Sequence, residues 1–168
     1  ILYSSPLNVE FSMAYVLGKY GVFSLDYGIN DYSGMTINER KQTTGEFSGT
    51  NQLISDVYGV GTSLRTGLEL KASANFSLRG GYAIYNSGLT EKADAYAFNK
   101  PGALNQYSMG FGYRDNNFFM DFAYIIERQN VEHSLFILDD AEPLTNPRPK
   151  ASIDYSSNKL MMTVGFRF

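Results

Sequence analysis

Leu160-Met161-Met162-Thr163-Val164-Gly165-Phe166-Arg167-Phe168 is the stretch on which the fold turns. Its residues Leu160, Met162, Val164, Phe166 and Phe168 alternate with Met161, Thr163, Gly165 and Arg167. In an extended strand successive side chains point to opposite faces, so this segment has one apolar face and one face of mostly smaller or polar groups. The same reading holds six more times upstream. Val9, Phe11, Met13, Tyr15 and Leu17 stand against Glu10, Ser12, Ala14 and Val16; Phe23, Leu25, Tyr27 and Ile29 stand against Ser24, Asp26, Gly28 and Asn30. Thr62, Leu64, Thr66, Leu68 and Leu70 face away from Ser63, Arg65, Gly67 and Glu69. Phe76, Leu78, Gly80, Tyr82 and Ile84 face away from Ser77, Arg79, Gly81 and Ala83. Tyr107, Met109, Phe111 and Tyr113 oppose Ser108, Gly110, Gly112 and Arg114. Phe118, Met120, Phe122, Tyr124 and Ile126 oppose Phe119, Asp121, Ala123, Ile125 and Glu127. These seven apolar registers hold 33 residues and no charge although 18% of the chain is charged; random placement would put roughly six charges there.

Seven strands are therefore expected near 8–18, 22–35, 59–71, 76–86, 105–114, 118–129 and 157–168, each antiparallel to its sequence neighbour. Their connections alternate. Lys19 to Gly21, Ala72 to Asn75 and Asp115 to Asn117 are tight and rich in Gly, Asn and Asp, whereas 36–58, 87–104 and 130–157 are long and polar. Short turns at one end and long loops at the other are the asymmetry of outer-membrane barrels, whose turns are periplasmic. The last strand then ends at the periplasm, and the expected fold class is all-β, an antiparallel transmembrane β-barrel in a Gram-negative cell outer membrane. Aromatic side chains fall at both ends of the apolar band, Tyr113, Phe118, Phe76, Phe166 and Phe168 by the turns and Tyr32, Tyr82, Tyr107 and Tyr124 by the loops. Two such belts suit the two headgroup levels. A soluble sandwich also alternates, but its strands are usually near 5–6 residues.

Composition narrows the chemistry. The chain of 168 residues has no Cys, one His and a net charge of −3, so thiolate sites are absent and no basic footprint for nucleic acid exists. No run approaches the ~18 apolar residues of a membrane helix. His133 falls in the longest expected loop, and no Ser has a neighbouring base in the sequence, so no catalytic residue, metal or cofactor is expected. Asp139, Asp140 and Glu142 carry hard oxygen ligands of the kind Ca²⁺ takes, but read more simply as a solvated acidic loop. Glu10, Asp26, Arg65, Glu69, Arg79, Arg114, Asp121, Glu127 and Arg167 share the face opposite the apolar registers, where a barrel's lumen would be. As a ladder they would brace neighbouring strands and an internal plug; alternatively an arginine among them would hold a ligand carboxylate in the planar fork of its guanidinium. Arg65, Arg79, Arg114, Asp26 and Asp121 are the candidate ligand-binding residues.

Seven is an odd number for a bacterial barrel, which has an even count, and an unpaired edge in lipid is costly. Either a strand lies hidden in 36–58, where Leu53 to Val57 is weakly apolar, or the chain continues upstream of Ile1. A closed barrel of seven would be too narrow for a plug or a long ligand.

Pro6-Leu7-Asn8 to Tyr15-Val16-Leu17-Gly18, then Gly21-Val22-Phe23-Ser24-Leu25-Asp26-Tyr27 and Asp31-Tyr32-Ser33-Gly34-Met35, resemble the FadL/TodX family of outer-membrane transporters of long-chain fatty acids and hydrocarbons. The resemblance continues through Ser63-Leu64-Arg65-Thr66-Gly67-Leu68-Glu69, Leu78-Arg79-Gly80-Gly81-Tyr82-Ala83, Tyr107-Ser108-Met109-Gly110-Phe111-Gly112-Tyr113-Arg114 and Asp121-Phe122-Ala123-Tyr124. It implies a fourteen-stranded barrel with an N-terminal hatch, of which residues 1–168 would be the C-terminal half. The hatch and the family's ligand contacts would then lie upstream of Ile1, and this chain alone would not transport. Passive uptake of hydrophobic small molecules, fatty acids above all, is the implied function. A barrel of the same fold that docks protein partners or assists secretion is the alternative, and a membrane-barrel enzyme comes last. The ending Val164, Gly165, Phe166 and Phe168 looks like the C-terminal signal by which the barrel-assembly machinery recognises its clients. The expected partners are thus outer-membrane lipid, a hydrophobic ligand and that machinery.

Overall fold

The computed structural model describes residues 1–38, 45, 47–96, 100–134 and 150–166, without the side chains of 94–96 and 134. Among these residues the dominant feature is one antiparallel sheet. Its long strands are β2 (Leu7–Val16), β3 (Gly21–Asp31), β5 (Val60–Lys71), β6 (Phe76–Tyr85), β8 (Leu104–Arg114), β9 (Phe118–Ser134) and β10 (Lys150–Phe166). They run β10-β9-β8-β6-β5-β3-β2 across the sheet, each bonded to its neighbour in sequence. Short β1 (Leu2–Ser4) and β4 (Thr36–Asn38) form a separate pair, and β7 (Lys100–Pro101) adds to β9. No described helix is long and apolar enough to cross a membrane, which says nothing of crossing by strands.

The turns follow from local chemistry. Gly18, at φ +56, takes the left-handed conformation that closes the β2–β3 turn, where the Leu17 N–H donates to the Gly21 carbonyl at 2.8 Å. The Asp115 N–H donates to the Phe118 carbonyl at 2.8 Å to close β8–β9. Between these turns the pairing runs without a slip: Leu25↔Thr66, Thr66↔Tyr82, Tyr82↔Tyr107 and Tyr107↔Ile126 make one continuous row. All seven apolar registers therefore lie on one face. Ring contacts from β6 to β10 agree, with Phe111 stacked on Phe122 at 5.0 Å and tilted pairs of Phe118 with Phe166 at 5.4 Å and Tyr82 with Tyr107 at 5.1 Å between centroids.

No described residue covers this face. In the middle of the sheet Met109 is 61% exposed and Leu78 48%. The chain's surface is 12,101 Å², against about 8,300 Å² for a compact monomer of this mass. Among the described residues only Val57, Ala83 and Ala93 are buried apolar residues. β2 and β10 each have one bonded neighbour in the sheet, so the described pairings leave it open rather than closed into a ring.

Three expectations change. The 53–57 stretch, weighed as a strand, belongs to helix α1 (Ser48–Val57). Leu53, Ile54 and Val57 recur at helical spacing, and Val57 is fully buried at the loop end of the sheet. β9 and β10 run past their expected limits of 129 and 157 because their pairing continues from Asn130↔Asp154 to Ser134↔Lys150 after the apolar alternation has ended. His133 consequently sits in a strand opposite Ala151, its Nε2 out of solvent and without a partner among the described residues. Asp139, Asp140 and Glu142, with Arg167 and Phe168, lie outside the described residues.

Candidate functional site

The sheet's other face carries chemistry in register. Asp26, Arg65, Ala83, Gln106 and Glu127 form one row across β3, β5, β6, β8 and β9. The next row toward the turns is Ser24, Gly67, Gly81, Ser108 and Ile125, and the one after is Val22, Glu69, Arg79, Gly110 and Ala123. Below it stand Ser77, Gly112, Asp121 and Thr163. Two charged rows thus flank a row whose residues are small from β3 to β8.

Four of the five candidate ligand-binding residues are gathered into two ion-pair clusters. Arg65 pairs with Glu10, two strands away, and its Nε lies 3.8 Å from Asp26. Arg79 donates from Nε to Glu69 at 2.8 Å and from Nη1 to Asp121 at 2.6 Å. Both clusters reach over an intervening strand, and for the Arg79–Asp121 pair a glycine makes that possible. A Cβ at Gly112 would stand 2.6 Å from Asp121 Oδ1, 3.0 Å from Ser77 Oγ and 3.4 Å from Arg79 Nη1. Any side chain there would occupy the path of the Arg79–Asp121 pair. Gly28 lies opposite Glu10 on β3, and a Cβ there would meet Ser63 Oγ at 2.5 Å rather than either partner of the Arg65–Glu10 pair. Lys159 adds a third tie, to Glu127 at 2.7 Å, with Gln106 donating to the same carboxylate at 3.1 Å.

Arg114 stands apart. It is exposed near the turn end, and its side chain has no ion pair or hydrogen bond among the described residues. Each of the other two candidate arginines already faces two carboxylates. The sequence placed these charges on one face but did not give these partnerships, because they depend on how the strands pair and on what lies between.

The described part of the candidate assembly signal is placed on the β10 edge. Val164 pairs with Met120 and Phe166 with Phe118 on the apolar face, while Gly165 lies beneath the Phe119 ring on the polar one. An aromatic ring laid across a strand glycine restores the packing the glycine lacks.

At the loop end, Asn51 of α1 clamps β4 through both polar atoms of its amide, accepting from the Ile37 N–H at 2.8 Å and donating to the Ile37 carbonyl at 2.9 Å. Thr90 donates its hydroxyl to the Asp56 carbonyl, and Lys92 reaches Asp56 Oδ1 at 2.9 Å. These contacts seat α1 on the β6–β8 connection. Comparison with family models, with curated proteins and with solved structures finds no match for this chain.

Proposed function

We propose that this chain forms part of the wall of an outer-membrane β-barrel that admits hydrophobic small molecules, long-chain fatty acids being the favoured class. The carrying observation is the division of the sheet: a charge-free apolar band that no described residue covers, and an opposite face on which the charges at that level are gathered. From Phe118 to Ile126 the apolar register of β9 covers eight steps of about 3.4 Å, about 27 Å along the strand or roughly 20 Å across a bilayer after strand tilt. That is most of the ~25 Å apolar band of an outer-membrane barrel. Burying the face in lipid stabilises at about 25 cal/mol per Å² of apolar surface, whereas a single arginine on it would cost about 2–4 kcal/mol at the midplane.

The fatty-acid assignment rests on the resemblance of the strand sequences to the FadL/TodX transporters, with the chain as the C-terminal half of such a barrel and its C-terminus in the periplasm. Paired Arg65 and Arg79 act as braces in this reading, and Arg114 is the arginine open to a ligand carboxylate. Val164, Gly165, Phe166 and Phe168 present the last strand to the assembly machinery. The test is uptake of a labelled long-chain fatty acid by cells with and without the natural protein that carries this chain. Saturable uptake that disappears with the protein is expected; uptake that does not change on its removal overturns the reading.

A further inference from the structure

Just beyond the apolar band, on the same face, the wall is broken by a bulge. Pro101 pairs with Val131 and Asn105 with Arg128, so three residues, 102–104, face two, 129 and 130. A bulge interrupts the ladder and re-aims side chains. Here it accompanies an open cleft of about 630 Å³ whose lining includes Asn105, Arg128, Asn130, Asp154 and Ser156. Those five continue the apolar register upward: Asn105, Arg128 and Ser156 form one row, and Asn130 and Asp154 the next. Arg128 stands two residues past Ile126, about 7 Å along the strand. Immediately below, the Tyr82 hydroxyl donates to Asn105 Oδ1 at 2.7 Å and the Tyr124 hydroxyl to Asn158 Oδ1 at 3.1 Å. Phenols bonded upward in this way mark where the apolar level ends.

The amides in the cleft are committed. Asn105 Nδ2 donates to the Ala103 carbonyl, and Asn130 Nδ2 to Ser152 Oγ and Asp154 Oδ1, both at 2.7 Å. The Arg128 guanidinium is not: among the described residues it has no ion pair or side-chain hydrogen bond. We propose that this cleft holds the phosphate of an anionic lipid of the outer leaflet, gripped by Arg128. The inference rests on the apolar face being lipid-facing and adds a specific lipid contact to it. A planar guanidinium offers two parallel N–H groups to a phosphate, and one placed at headgroup level meets that phosphate without leaving its strand. Asp154 opposes the anion and is partly offset by Asn130, so it sets the limit on affinity.

The test uses the full chain in phosphatidylcholine nanodiscs doped with lipid A, with lipid retained per protein read by native mass spectrometry. Arg128→Gln should retain about tenfold less lipid A. Arg128→Lys should retain an intermediate amount and Asp154→Asn more than the parent, while Lys19→Gln, in the turn at the far end, should match the parent. Inorganic phosphate should not displace the lipid; displacement would make free phosphate the occupant and overturn the lipid assignment. Tyrosine quenching by brominated lipid is measured on every variant. Parent quenching with retention indifferent to Arg128 overturns this inference alone, and absence of quenching overturns the lipid-facing reading together with it.

Discussion

Gly112 shows how much of the polar face is decided by one missing side chain. Arg79 is on β6 and Asp121 on β9, with β8 between them, and their pairing at 2.6 Å runs over the bare backbone at Gly112. Both partners remain partly exposed, so the pair itself is of modest worth. A double-mutant cycle with Arg79→Gln and Asp121→Asn is expected to give a coupling of about 0.5–1 kcal/mol by urea unfolding from vesicles. In a Gly112→Val background the coupling should vanish, with an added destabilisation of about 1–3 kcal/mol from the crowded site. Equal coupling in both backgrounds would show that the arginine reaches Asp121 by another route. A bracing ladder of charges was legible along the chain, but not which of them pair. Glu69 and Arg79 are near in sequence, but Asp121 is 42 residues from Arg79, and Gly112 read only as one small residue among several.

For single strands, alternation makes a sharp statement: position 78 and position 79 belong to different environments. Cysteine probes there should differ in quenching by a lipid-soluble agent, strong at 78 and weak at 79; strong quenching at 79 with none at 78 would reverse the face assignment. Leu78→Arg is expected to cost about 2–4 kcal/mol in a bilayer. The seven strands were legible because period two is a local signal and each apolar register repeats it four or five times. The upper parts of β9 and β10 were not, since Gln129 to Ser134 and Lys150 to Ser157 keep the ladder while losing the alternation. Helix α1 was missed for a different reason. Its Leu53, Ile54 and Val57 are too few to establish a period, and its place is fixed by the distant Ile37 and Thr90. Asn51→Ala should therefore loosen the 36–57 segment by about 1–2 kcal/mol. Limited proteolysis should find faster cleavage there with the sheet still protected; an unaltered cleavage rate would mean the Asn51 clamp is dispensable.

Taken whole, the sheet has a large uncovered face and two strands, β2 and β10, with one neighbour each. An unpaired backbone group in hydrocarbon costs several kcal/mol, so in a bilayer both edges need partners. Were they to meet each other, the ring of seven would have a bore filled by its own side chains. Residues 1–168 reconstituted alone in liposomes are accordingly expected to give no saturable uptake of a labelled fatty acid. Specific, saturable uptake by this segment would show that seven strands suffice for a conduit.

The meander has a further consequence for how the protein is made. Every long strand is bonded to the long strand that precedes or follows it, so the order of the strands across the sheet is their order along the chain. Loop closure between such neighbours is entropically cheap, which favours rapid formation. Strand addition can then proceed one hairpin at a time from either end, and any length already laid down is a template for the next. A polypeptide divided in the β6–β8 connection would keep every other long ladder within one piece or the other, and the β6 and β8 edges left facing would carry the instructions for the two halves to find each other again.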